Sequence, residues 1–207
     1  MKVLFLTNNQ NTQPLVDWLR HDAKEEVIIC NEKITTKTIE QAAPDFIISY
    51  NYNYLIKKAI LDLLPGRVIN LHISLLPYNR GANPNIWSFI KNTPKGVTIH
   101  LVDTDIDTGD ILLQEDFFFE EDYETLSTSY RKLHDEIQRL FKGNWHKIKE
   151  FRITPKKQTE RTSINYTQDF ERIKNILGKD GWDIPIPELK KRYRELIGTI
   201  NANSNLL

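Results

Sequence analysis

The chain of 207 residues holds a single cysteine, Cys30, a single methionine and eight glycines. A lone cysteine has no partner within the chain, so no internal disulfide is expected, which suits a reducing compartment such as the cytosol. Net charge is absent as well: 28 Lys and Arg balance 28 Asp and Glu. No global field therefore draws the chain toward nucleic acid or a membrane surface. No apolar run approaches the length of a membrane span. Met1-Lys2 leads only into a short apolar run and then polar residues, so no secretory leader is expected. Internal repeats and low-complexity segments are also lacking. What remains is 40% hydrophobic and 27% charged, the balance of a soluble globular chain, and long enough for a substantial core.

One missing glycine pattern is informative. Lys2 to Thr7 (KVLFLT) reads as a buried strand, and the turn after it runs Thr7-Asn8-Asn9-Gln10-Asn11-Thr12. A dinucleotide cradle would place G-x-G-x-x-G there. Its absence counts against NAD or FAD. The Asn-rich turn is either an ordinary turn or a set of amides for a polar substrate.

Strands and helices then alternate. Gln13 to Arg20 has helical spacing, Glu26 to Cys30 is a strand, and Thr35 to Ala42 is a helix stopped near Pro44. Asp45 to Tyr50 is a strand, Leu55 to Leu63 a helix ended by Pro65-Gly66, and Val68 to His72 a fourth strand. Four such alternations predict an α/β fold, a parallel sheet with helices on both faces. Asn83 to Ile90 reads as a helix with Asn83 as N-cap and Pro84 at its first position. Gly96 to Val102 and Asp110 to Phe118 read as an antiparallel pair, and Tyr123 to Phe141 as an amphipathic helix. Lys147 to Arg161 reads as a polar connection. Beyond it come a short strand (162–166), two short helices (Phe170 to Leu177, Glu188 to Ile197) and a frayed end from Ile200. The expected division is a catalytic domain over 1–150 and a small α/β extension over 151–207.

The chemistry concentrates between Val68 and Asp110. Asn70 and His72 lie two apart on a strand, so they project to the same side near its C-terminal end. In an open parallel sheet that end is where ligands bind. Histidine exchanges a proton near neutral pH, and an amide donates to an oxygen gaining negative charge. A carboxylate from the loop Asp103, Asp105, Asp107, Asp110 would orient the imidazole. Such a set serves acyl transfer without a covalent enzyme intermediate. The plainer reading is a capped strand end with a satisfied histidine. The Asp-rich loop only partly matches a calcium loop and lacks its closing Glu, so a turn is favoured. His100, on an apolar strand, reads as a core residue; His21, His134 and His146 read as surface residues. No second His or Cys stands at ligand-like spacing from His72, so no metal is expected.

Taken whole, Asn70-Leu71-His72-Ile73-Ser74-Leu75-Leu76-Pro77-Tyr78-Asn79-Arg80-Gly81 resembles the Asn-x-His-x-Ser-Leu-Leu-Pro signature of N10-formyltetrahydrofolate-dependent formyltransferases. Gly96-Val97-Thr98-Ile99-His100 followed by Asp105-Ile106-Asp107-Thr108-Gly109-Asp110-Ile111-Leu112 is similar to that family's second motif. The resemblance is clear from Asp45 to Phe118, weaker but compatible before, and fades after Phe141. It implies a Rossmann-like, mostly parallel formyltransferase fold with a small α/β tail. It implies Asn70, His72 and Asp107 as the catalytic set: Asn70 and protonated His72 hold the developing oxyanion, and Asp107 supports His72 and helps move the amine proton. It implies a folate pocket at Tyr54, Leu55 and Ile56 and at Asp103, Thr104 and Asp105, with N10-formyltetrahydrofolate as co-substrate.

The short format is similar to the cytoplasmic bacterial sugar N-formyltransferases, which act on dTDP- or other NDP-linked amino sugars for surface polysaccharide such as O-antigen. That resemblance implies Asn8, Asn9, Tyr78, Arg80, Asn83 and Trp87 on the substrate side. Arg80 either pairs with a diphosphate or packs the loop, and Trp87 is either a wall of the site or a core aromatic. Neither a nucleic-acid partner nor a membrane is implied. Relatives of this kind are often dimers, and Phe151, Trp182 and Ile184 either supply contact area for a homodimer or cap the core. The alternatives are transfer to another amine, such as glycinamide ribonucleotide, and a module that binds folate or nucleotide sugar without turnover.

Overall fold

The computed structural model describes residues 1–158, 162 and 164–204. The chain opens with β1 (Lys2–Leu6), a single 3-10 turn over Gln10–Thr12, and α1 (Gln13–His21). Then follow β2 (Glu26–Cys30), α2 (Thr36–Ala42), β3 (Phe46–Tyr50) and α3 (Lys58–Leu61). Next come β4 (Val68–His72), the two-residue β5 (Arg80–Gly81), α4 (Pro84–Ile90), β6 (Gly96–Leu101) and β7 (Ile111–Asp116). The last elements are α5 (Leu126–Lys149), β8 (Ile164–Asn165), α6 (Thr167–Ile173) and, after a 3-10 stretch over Lys174–Asp183, α7 (Ile186–Ser204).

The main sheet has the order β2-β1-β3-β4-β6-β7. β2, β1, β3 and β4 are parallel, while β6 and β7 are antiparallel to their neighbours. Alternation along each strand feeds two cores. Val3, Phe5, Ile48, Ile69 and Leu71 pack with α1, α4 and α5 on one face. Leu4, Leu6, Ile47 and Val68 pack with α2 and α3 on the other. The first core continues without a break into Phe170, Ile173, Ile176, Ile184, Ile186 and Leu189 of the tail.

Several elements depart from their sequence expectation. The helix expected over Leu55 to Leu63 contracts to Lys58–Leu61, because 51–57 forms a loop instead. α5 runs to Lys149 rather than Phe141. Trp145 and Ile148 continue the buried stripe of Phe141 into the same core. Thr125 caps this helix through a reciprocal exchange with Thr128. Asn83 stands at the start of α4 but in the left-handed region, at φ 53°, and its side chain caps nothing. α7 stays helical to Ser204 in place of a frayed end from Ile200, and 205–207 lie outside the described residues. The expected connection and short strand pass through 159–161 and 163, also outside them; within the strand, Ile164–Asn165 pairs with β5.

Among the described residues no helix is long and apolar enough to cross a membrane. Ile184 is fully buried in the core, whereas Phe151 and Trp182 are about half exposed, Trp182 stacking on Phe170.

Candidate active site

β4 places Val68, Asn70 and His72 on the α2–α3 side of the sheet, with Ile69 and Leu71 turned into the opposite core. The antiparallel partner β6 sets Thr98 opposite His72 and His100 opposite Asn70. Regular pairing of β6 with β7 slips between Ile99 and His100. The chain then turns back over residues 103–110. Asp103 organises this turn, accepting from the Asp105 amide (3.1 Å) and the Thr108 hydroxyl (2.6 Å). Asp107 adopts φ 52°, a left-handed conformation that Asp tolerates better than most side chains. Gly109 follows where a Cβ would lie 1.7 Å from the Leu101 carbonyl oxygen, so the close return of the turn onto β6 requires glycine.

The result is a cluster around the Asp107 carboxylate. Oδ2 accepts from the Gly81 amide at 2.8 Å and lies 3.6 Å from His72 Nδ1. Oδ1 accepts from Asn70 Nδ2 at 3.3 Å and lies 3.5 Å from His100 Nε2. Burial opposes the charge of Asp107, yet the two imidazoles and the Gly81 N–H outweigh it and hold the carboxyl well below the usual carboxylate range. For His72 the balance runs the other way. Burial lowers its pKa and the neighbouring His100 adds to that, while Asp107 and the Asn79 carbonyl, 3.3 Å from Nε2, oppose it. At rest an ionised Asp107 lies beside an imidazole whose pKa burial holds below that of a free histidine. Both ring nitrogens of His72 face acceptors, so a proton arriving there has a place to bind.

This cluster forms the floor of an open cavity of about 720 Å³, within the range of small-molecule sites. Asn70, His72 and Asp107 all line it. At one end stand Tyr54, Leu55, Ile56, Asp103 and Asp105, with Tyr54 and Leu55 left exposed; Thr104 is exposed on the same turn but does not line the cavity. Asn8, Asn9 and Asn83 also line it.

Three expected substrate residues do not. Trp87 is 5% exposed and belongs to the main core. Arg80 is 6% exposed, its guanidinium donating to the Thr162 carbonyl, so it packs the loop rather than facing a ligand. Tyr78 is half-buried and stands off the cavity. All three lie in or after a Pro-containing loop whose path no periodicity predicts.

Other lining residues were not foreseen. His100 reads as a core residue from its apolar strand, yet it reaches Asp107 and stands beside Asn70, 3.2 Å from its Nδ2. The in-register antiparallel pairing is the signal that would reveal it. Asn51 and Tyr130 complete the wall at the amide-rich turn: the Tyr130 hydroxyl accepts from Asn9 and Asn11 (3.2 Å each), and Asn51 donates to Asn11 Oδ1 (3.0 Å). Behind Tyr130 lies His134, buried rather than on the surface, with its Nδ1 against the Tyr50 hydroxyl. Burial pushes His134 down to about 4. His21 and His146 are exposed, as expected.

Known proteins share this arrangement of the chain. Residues 2–142 match the formyl transferase family model, well over half of the sequence. Formyltransferase PseJ from Anoxybacillus kamchatkensis, solved with UDP-4,6-dideoxy-4-formamido-L-AltNAc and tetrahydrofolate, is 39% identical. It superposes with a TM-score of 0.83 over 91% of this chain and 97% of that one. A 4-N formyltransferase from Francisella tularensis is 25% identical, with a TM-score of 0.70 over 84% of this chain and 79% of that one. Methionyl-tRNA formyltransferase from Clostridium botulinum (strain Alaska E43 / Type E3) is 33% identical over 82% of this chain and 59% of its own length. Similar curated enzymes are matched over about half of their length, for example 52% for that of Pelobacter propionicus. The family match over 2–142, together with these identities, establishes that the chain belongs to the formyl transferase family.

Proposed function

We propose that this protein transfers a formyl group to the amine of a nucleotide-linked amino-deoxysugar, in the cytoplasmic synthesis of a surface polysaccharide. The observation that carries the reading is the convergence of Asn70, His72 and Asp107 on one cavity floor, in a chain that matches PseJ over nearly the whole of both lengths.

The formyl donor is N10-formyltetrahydrofolate, which supplies an activated formyl carbon. The cavity suits such a ligand. Ile56 and the exposed Leu55 and Tyr54 offer an apolar slot for a flat ring, and the turn at 103–106 offers backbone groups beside it. Asn70 Nδ2 is a donor at the cavity floor for a carbonyl oxygen as negative charge gathers on it, and His72 joins it when that oxygen takes the place of the Asn79 carbonyl, which lies 3.3 Å from Nε2. Asp107, held ionised, supports positive charge on His72 and, directly or through water, helps pass the proton of the attacking amine to N10 as the N10–formyl bond breaks and tetrahydrofolate leaves. A neutral amine is already a competent nucleophile, so positioning and oxyanion stabilisation are the main needs. Asn8, Asn9, Asn51 and Asn83 supply uncharged hydrogen-bonding groups for a sugar.

The test is formyl transfer from N10-formyltetrahydrofolate to a panel of UDP-, dTDP- and GDP-linked 3-amino and 4-amino deoxysugars, read as a mass gain of one formyl group. The likeness to PseJ leads us to expect conversion of a UDP-linked 4-amino sugar. Conversion of glycinamide ribonucleotide alone would replace the sugar reading. A second reading, transfer to methionyl-tRNA, is favoured by the curated relatives, and charged initiator tRNA belongs in the same panel. Binding of folate with no product from any amine would point to a non-catalytic module.

A further inference from the structure

Lys156 and Gln158 are fastened to the turn that carries Asp107. Gln158 Nε2 donates to the Asp107 carbonyl at 3.0 Å and to the Gly109 carbonyl at 2.8 Å. Just before it, Lys156 and Ile111 exchange backbone hydrogen bonds of 2.8 and 2.7 Å, joining the segment to the start of β7. Farther along, β8 pairs with β5, and the Asn165 carbonyl accepts from the Ala82 amide at 2.7 Å. β5 carries Gly81, whose N–H holds Asp107 Oδ2. Gln158 thus grips the backbone of Asp107, and β8 the strand that supplies one of its carboxylate partners. Asp107 needs such support, because its left-handed backbone is strained for a residue other than glycine.

We propose that Gln158 is a positioning residue that aims the Asp107 carboxylate at His72 by closing the 107–109 turn from behind. The proposal rests on the reading of Asp107 as a catalytic residue. It gives the segment after α5 a function beyond packing: without this strap the aspartate is present but misdirected. A misplacement of about 1 Å is enough to cost up to roughly a hundredfold in rate.

Gln158→Met keeps the length of the side chain and removes both donated hydrogens. Gln158→Lys keeps a donor of similar reach. Asp107→Asn is the reference. Two readouts are needed: steady-state formyl transfer, and NMR titration of the His72 ring in the full-length protein. The expected result for Gln158→Met is a kcat reduced roughly tenfold or more, with KM for the formyl donor within about twofold. His72 should titrate displaced in the same direction as in Asp107→Asn. Gln158→Lys should recover most of both. A Gln158→Met protein that only melts earlier, with wild-type kcat and wild-type His72 titration, overturns the proposal and leaves Gln158 as a tether. Should Gln158→Met not fold, Gln158→Glu, equally long and without the donor, takes its place. If Asp107→Asn keeps full turnover, it is the catalytic reading that fails, and the His72 titration then decides for or against Gln158 alone.

Discussion

Asn70, His72 and Asp107 do different work and fail differently. Asn70→Ala removes an uncharged oxyanion donor and is expected to lower kcat by about 10²–10³. His72→Ala and Asp107→Asn remove proton-handling groups and should cost about 10²–10⁴ in kcat with smaller changes in KM. Single-turnover formyl transfer measures this directly, and a variant near wild-type turnover would remove that residue from the mechanism. His134 makes a separate prediction about pH. It is held neutral when folded, at about 4, against 6.5 for a free imidazole. Between those values the unfolded chain binds more protons, so stability is full above about pH 6.5 and declines as pH falls toward 4. The loss attributable to His134 is about 3 kcal/mol. Denaturant melts of wild type and His134→Gln across this range should show a flatter acid limb for the variant, though a lower plateau, since the Tyr50 hydroxyl loses its partner. The shared side of Asn70 and His72 is legible from strand alternation, while Asp107 is picked out among the loop carboxylates only by the family motif. His100 and Tyr130 are not, because each reaches the site across a pairing between distant segments.

At the scale of elements, the two-residue β5 matters more than its length suggests. A Cβ on Gly81 would sit 2.2 Å from the Asn165 carbonyl oxygen, and its backbone has φ 88°. Gly81→Ala should therefore push β8 away from β5 and shift the amide that caps Asp107. The expected cost is about 1–3 kcal/mol in stability from overpacking and a fall in kcat larger than the fall in stability explains. Comparing melting temperature with turnover in one preparation checks both. Turn chemistry explains the two changes of expected form beside the site. Leu55 and Ile56 have helical spacing in sequence, but in the fold the loop 51–57 wraps the cavity end and leaves Leu55 66% exposed. Asn83 has the right identity for an N-cap, yet its left-handed backbone directs the side chain elsewhere.

For the whole molecule, the tail and the sheet share one core. Phe170, Ile173, Ile176, Ile184, Ile186 and Leu189 are buried with α4 and α5. At about 1.5–3 kcal/mol for each buried apolar side chain, their loss is of order 10 kcal/mol, comparable with the about 5–15 kcal/mol net stability of a typical domain. A chain ended after residue 150 should be insoluble or unfolded, as circular dichroism and gel filtration would show. A folded, monodisperse 1–150 fragment would mean that the sheet is self-sufficient.

The α/β alternation, the sidedness of Asn70 and His72 and the Asp-rich turn all follow from local periodicity, which acts over a few residues and is written directly in the chain. The packing of Phe170 through Leu189 into the main core, the burial of Arg80 and Trp87 away from the cavity, and the arrival of His100, Tyr130 and Gln158 at the site come from contacts between segments tens of residues apart. No local pattern encodes such contacts, because what selects them is the packing of the assembled sheet and helices.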